Sequence, residues 1–215
     1  MDSFVNSDQP SILSVLGPMG VGKSYLVKYI TKNLAMSGKI ASVIVFSPTS
    51  NFSGVSSYNF IPDEYVFPQY DQSILEKYLE LHKGTKQRGL IIFDDCYNAL
   101  ANDTFFLQFI TNHRHFGGGM YIIFTSQYGK NRSSFNPVIR DLTSLFCVFK
   151  CENLESIKTL HAEHGAHKTK QEFTELMLSI QKYEFLAIDK RTDDITKKYI
   201  KMKCPAKISD FKLKY

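Results

Sequence analysis

One octapeptide narrows the possible folds of this chain more than any other stretch. Gly17-Pro18-Met19-Gly20-Val21-Gly22-Lys23-Ser24 matches the pattern GxxxxGK[ST] at every defined position. Glycines at that spacing let the backbone curl until successive N–H groups point inward at an anion. A helix starting near Lys23 adds the positive end of its dipole. The pattern predicts that Lys23 reaches the β- and γ-phosphates of a nucleotide and that Ser24 gives an oxygen to Mg²⁺. Tyr25, in the first turn of the same helix, joins the expected nucleotide-binding set. An apolar run over 11–16 precedes the loop and an amphipathic stretch over 23–34 follows it. That is the strand–loop–helix context the chemistry needs.

The rest of the chain repeats the alternation. Apolar runs over 40–46, 90–93, 120–125, 145–150 and 185–188 read as strands, and their lack of polar alternation indicates cover on both faces, as in a parallel sheet. Helical patterns lie between them. Ser73-x-x-Glu76 opens one as a capping box, Asp103 caps a second over 104–113, and a third runs over 154–163 to Gly165. Thr169-x-x-Glu172 caps a fourth, with Phe173, Leu176, Met177 and Ile180 at helical spacing. The expectation is an α/β P-loop domain over 1–190, with helices on both faces of a mostly parallel central sheet. Residues 47–62, rich in Ser, Asn, Gly and Pro, read as a long surface loop.

The second half of a nucleotide site is Leu90-Ile91-Ile92-Phe93-Asp94-Asp95. Four apolar residues bury a strand, and two acids emerge at its carboxyl end, where open α/β sheets place their ligands. Asp94 is expected to hold Mg²⁺ and Asp95 to orient and polarise the attacking water. Tyr97 stands where a single-Asp site would continue to Asp-x-x-Gly. This favours the P-loop classes with a catalytic second carboxylate and an additional strand between the loop strand and the acid strand; 120–125 is the candidate insertion. That run ends in Ser126-Gln127, and Gln127 is placed to contact the γ-phosphate or the attacking water.

Charge and cysteine usage set further bounds. Acids and bases balance through Lys190, whereas 191–215 holds eight basic residues against three acids, a basic C-terminal tail. Such a tail either contacts nucleic acid phosphates or is a solvated terminus. The four cysteines have no CxxC or regular spacing and read as reduced thiols. His161, His164 and His167 lie three apart, but Gly165 interrupts the helix and no zinc pattern completes them, so they read as solvated. No apolar run approaches the length of a membrane span and no secretory leader is visible, so no membrane partner is expected and the protein is not expected to be secreted.

These motifs in combination resemble the viral genome-packaging ATPases of the FtsK/HerA superfamily, found in poxviruses, other large DNA viruses and virophages. The resemblance spans about 11–140. It rests on the P-loop, on Asp94-Asp95-Cys96, on Arg114-His115 before the third strand, on Ser126-Gln127 at its end, and on Pro137-Val138-Ile139-Arg140. Asp95 stands where many relatives carry Glu. The resemblance implies an ATP- and Mg²⁺-dependent motor, built as a homo-oligomeric ring, pentamer or hexamer, that drives double-stranded DNA into a preformed capsid through its vertex or portal. It would work in host cytoplasm at virus assembly sites, or in association with the virion. An arginine from the neighbouring subunit would act on each nucleotide: Arg114 is the first candidate, Arg140 the second, and Arg132 a third candidate or a DNA contact. The competing readings are a small-molecule kinase, another P-loop ATPase, or a nucleotide-gated interaction module. A kinase wants an arginine-rich lid, and the few arginines here are not clustered. A gated module often loses one of Lys23, Ser24, Asp94 and Asp95, all of which are present.

Overall fold

The computed structural model describes residues 9–49, 57–127 and 137–213. Eight strands form one sheet: β1 (Ile12–Leu16), β2 (Ser42–Phe46), β3 (Val66–Phe67), β4 (Gly89–Asp94), β5 (Met120–Ser126), β6 (Leu145–Phe149), β7 (Glu184–Asp189) and β8 (Tyr199–Lys203). Their order is β3-β2-β4-β5-β1-β6-β7-β8. The first six strands pair in parallel; β7 and β8 run antiparallel at one edge. β5 therefore sits between β4 and β1, the additional-strand arrangement expected from the adjacent carboxylates.

Side-chain alternation explains why both faces are covered. Leu90 and Ile92 of β4, Tyr121 and Ile123 of β5, and Leu13 and Val15 of β1 point into one core. That core is capped by α1 (Lys23–Met36), which presents Leu26, Val27, Ile30 and Leu34. Ile91 and Phe93, with Ile122 and Phe124, point into the other. There α2 (Gln72–His82), α3 (Tyr97–Leu100), α4 (Thr104–Asn112) and α5 (Pro137–Leu142) close the sheet. Further along that face, α6 (Leu154–His164) and α7 (Lys170–Leu178) pack on Phe146, Val148, Leu186 and Ile188 of β6 and β7. A last short helix, α8 (Ile195–Lys198), leads into β8.

Several local expectations are modified. α2 is capped by Asp71, whose carboxylate accepts from the Ser73 and Ile74 amides, rather than by a box starting at Ser73. Asp103 and the Thr169–Glu172 box cap α4 and α7 as read from sequence. His164 is not solvated: it is buried against the Phe146 ring at 4.1 Å, and burial lowers its pKa to about 4. The cysteines are all free and buried.

The described part of the basic tail is packed. β8 extends the sheet, and the chain then crosses α1: the Ile208 amide donates to the Tyr25 hydroxyl at 2.8 Å, and Lys32 meets Ser209. Phe211 lies 6.1 Å from the Phe60 ring, and the Leu213 amide donates to the Phe60 carbonyl at 2.8 Å. No helix among the described residues is long and apolar enough to cross a membrane.

Candidate active site

The loop from Gly17 to Ser24 joins β1 to α1 at the carboxyl end of the sheet. Gly20 and Gly22 adopt φ of 78° and 106°, in the left-handed region open to glycine, and Gly22 is the residue from which α1 starts. Gly17 has a different reason to be glycine: a Cβ there would lie 2.7 Å from the Phe149 Cβ of β6. Its amide donates to the Ser126 carbonyl at 3.1 Å, tying the loop to the end of β5. Pro18, Met19 and Gly20 are exposed at the loop tip, while Val21 is partly packed on the core.

Lys23 is half-buried and folds back over the loop, donating to the Gly17 and Pro18 carbonyls, both at 2.9 Å. Burial lowers its pKa, and the nearby Asp95 and Asp94 work against that shift. Ser24 is the second residue of α1. The Tyr25 side chain turns instead to the C-terminal segment, as described above.

Asp94 closes β4 and is buried, yet well supplied with donors. Ser47 donates to its Oδ2 at 2.8 Å, Thr49 to the same oxygen at 3.4 Å, and Thr125 to Oδ1. Tyr58, wholly buried, also faces this carboxylate; burial and the Asp94 charge hold its phenol protonated. None of these four partners was identified as functional from sequence. The available signal was position: Ser47 directly follows β2, and Thr125 lies opposite Asp94 in the β4–β5 register.

Asp95 follows with φ of 53°, an unusual conformation for a non-glycine residue that Asp tolerates better than most. The bend continues the ladder, since its amide donates to the Thr125 carbonyl at 3.1 Å, and it turns the side chain away from the strand. Gln127, exposed at the end of β5, donates from Nε2 to Asp95 Oδ2 at 3.4 Å. Burial, then the Asp94 charge, raises the Asp95 pKa, while Gln127 and Lys23 hold it down. Cys96, next in line, is structural: it donates to the Phe46 carbonyl at 3.2 Å, and burial pushes its thiol up to about 12.

The donor set suits magnesium, which takes one or two protein oxygens and completes its shell with phosphates and water. Ser24 and Asp94 would hold it; when bound, it supplies charge neutralisation to the phosphates. Among the described residues no group of three or more His, Cys, Asp or Glu side chains could cage a metal, so the phosphates and water would have to complete the shell.

Two of the three candidate fingers lie elsewhere. Arg114 is exposed in the turn His113–His115, before the amino end of β5, and no described carboxylate pairs with it. Arg140, in the last turn of α5, pairs with Glu163 at 3.2 Å and with Asp141 at 3.5 Å. Arg132 falls outside the described residues.

No family model matches the chain. Among curated proteins, the uncharacterized protein 088R of Invertebrate iridescent virus 3 is 27% identical over 189 residues, spanning 84% of this chain and 69% of the relative. The genome packaging NTPase B204 of Sulfolobus turreted icosahedral virus 2, in complex with ATPγS, superposes with a TM-score of 0.62 at 18% identity, over 92% of this chain and 98% of that one. This chain has the P-loop NTPase fold. B204 of Sulfolobus turreted icosahedral virus, a DNA-packaging ATPase, gives 0.59 at 20% identity, over 91% and 98% of the two chains. The pCW3 conjugation coupling protein TcpA gives 0.61 at 11% identity, over 91% of this chain and 60% of its own. The resemblance drawn from the motifs is borne out at the level of the fold, the inserted β5 included.

Proposed function

We propose that this protein is an ATP-hydrolysing motor that translocates double-stranded DNA into a preformed capsid, working as a homo-oligomeric ring with nucleotide held between subunits. The observation that carries the ATPase reading is the convergence of four groups at the carboxyl ends of three adjacent strands. Lys23 follows β1, Asp94 and Asp95 end β4, and Gln127 follows β5. Lys23 and the loop amides bind and orient the triphosphate. Asp95 accepts hydrogen-bonding from the attacking water, and its raised pKa makes it a better base than an exposed carboxylate. Gln127 fixes that water's second contact. The new bond joins the water oxygen to the γ-phosphorus as the bond to the ADP oxygen breaks.

The translocation reading is supported by the packaging proteins that share the fold and by Arg114. Its guanidinium, which no described carboxylate pairs, stands at the opposite end of the sheet from its own P-loop, where it can serve a neighbour's nucleotide. The test is ATP turnover by the purified protein with and without duplex DNA, beside Lys23→Ala and Arg114→Ala. DNA-stimulated turnover lost in both variants supports the motor, with Arg114 contributing about 10³–10⁵ in rate. Turnover indifferent to DNA sinks translocation and leaves a general ATPase; ATP binding without turnover leaves a gated module.

A further inference from the structure

Three loops lie side by side at the amino end of the sheet. The register pairs Ser42 with Gly89 and Gly89 with Met120, so β2, β4 and β5 begin level with one another. The segments leading into them, 37–41, 83–88 and 113–119, carry Lys39, Lys83, Lys86, Arg88 and Arg114 and no acid at all. Lys83 is partly neutralised by Glu80 of α2, at 3.2 Å. Lys39, Lys86 and Arg88 line one open cavity of about 440 Å³ whose other lining residues, Gly38, Ile40, Ala41 and Gln87, carry no charge. The same sheet end near β7 is mixed, with Asp189, Asp193 and Asp194 beside Lys190 and Arg191. Among the described residues, the positive charge is therefore segregated to one half of this face.

The loops are also stitched together. The Ala41 amide donates to the Arg88 carbonyl at 2.8 Å, the Gly118 amide to the Gln87 carbonyl at 3.0 Å, and Arg88 Nε to the Gly118 carbonyl at 3.2 Å. A Cβ on Gly118 would run into the Lys86 carbonyl, so glycine is what lets 116–119 lie flat on 86–88. Cations held on such a scaffold lose little freedom on binding an anion. They are spread across three strands, about 10 Å at the usual interstrand spacing, rather than converging on one point. That spread fits a polyanion with one charge per about 1.7 Å of axis better than a single triphosphate.

We propose that this face, centred on Lys39, Lys86 and Arg88, is a contact site for the phosphate backbone of double-stranded DNA. The choice of polyanion rests on the function proposed above; the site itself rests on the charge segregation and the loop geometry. It is distinct from the loop at 47–62 and from the basic tail.

The experiment is duplex DNA binding by fluorescence anisotropy across a salt series, comparing wild type with Lys39→Ala/Lys86→Ala. Lys170→Ala/Lys182→Ala, which removes the same charge at the start of α7 and in the turn before β7, is the control. Each phosphate contact contributes about 0.9 to the slope of log K against log salt, so losing two flattens the slope by about 1.8. Over a fourfold rise in salt, wild type then loses about 12-fold more affinity than the double variant, while the control follows wild type. Arginine at both positions restores the slope. A variant slope equal to wild type overturns this site and leaves the motor reading standing. So does equal flattening in the control, which would mean that net charge alone is at work. Absence of salt-dependent duplex binding by wild type overturns both.

Discussion

Two buried threonines offer a controlled test of how Asp94 is held. Thr125 and Thr31 are each fully buried, and replacing either by Val exchanges a hydroxyl for a methyl. Thr125 donates to Asp94 Oδ1, whereas Ser47 and Thr49 both bond Oδ2. Thr125→Val therefore removes a hydrogen-bond donor from a buried carboxylate. A hydrogen bond to a charged group contributes about 1.5–3 kcal/mol, and the loss should be of that size. The Thr31 hydroxyl, inside α1, has no partner among the described residues. Thr31→Val removes an unsatisfied polar atom and should be neutral or stabilising by up to about 1 kcal/mol. In a chain of this length the Thr125 variant should melt about 3–12 °C below wild type. Thermal melts of nucleotide-free protein at neutral pH measure both variants without any contribution from catalysis. If Thr125→Val melts no lower than Thr31→Val, the hydroxyl ring around Asp94 contributes nothing and the reasoning is wrong.

Asp95→Asn should melt above wild type at neutral pH. Because the folded-state pKa of Asp95 is raised, its ionisation costs stability as pH climbs through that value, so the gain should vanish toward acid, below the unfolded pKa. Asn also tolerates the φ of 53°, and turnover should still fall by about 10²–10⁴. Gly17→Ala sets a Cβ 2.7 Å from Phe149 Cβ, a backbone-anchored atom in the core; calorimetry should record a loss of about 1–3 kcal/mol together with weakened ATP binding. Phe211→Ala removes the ring that packs on Phe60 and should cost about 1–2 kcal/mol in urea denaturation, with 204–213 becoming susceptible to protease.

Much of the scaffold and of the candidate site is legible in the sequence because each depends on local pattern. The P-loop is contiguous, the apolar runs of β1, β4 and β5 are unbroken, and Asp94-Asp95 is adjacent to the strand that presents it. What surrounds Asp94 is not legible in this way. Ser47, Thr49 and Tyr58 follow β2 and Thr125 lies in β5, and only the strand order β2-β4-β5 brings them to one carboxylate. β8 was missed for a different reason. Tyr199-Ile200-Lys201-Met202-Lys203 looks like a solvated basic tail, yet lysines on an outer strand are what protects a sheet edge from further pairing. The short helices α3, α5 and α8 span too few residues for any periodicity to register. Asp71 displaced Ser73 as the α2 cap because an acid one residue before the helix reaches two free amides, a choice the Ser-x-x-Glu pattern cannot reveal.

The position of Arg114 leads to the last prediction. β5 runs from Met120 to Ser126 and separates the Arg114 turn from the carboxyl end, where Lys23 and Asp95 lie. At the rise of a strand that separation is about 20 Å, too far for one chain to bring both to one nucleotide. In the proposed ring, each subunit then offers its Arg114 end to a neighbour and receives a neighbour's arginine at its P-loop. Such a contact is head-to-tail, the kind that closes into rings rather than two-fold dimers. Lys23→Ala and Arg114→Ala should each be inactive alone. Mixed in equal amounts, they should regain activity, since a site with Lys23 from one variant and Arg114 from the other is intact. With random mixing, one interface in four has that composition, so recovery should approach about a quarter of wild-type turnover. Mixtures that remain as inactive as their components, under conditions where wild-type subunits exchange, would show that Arg114 does not serve a neighbour's site.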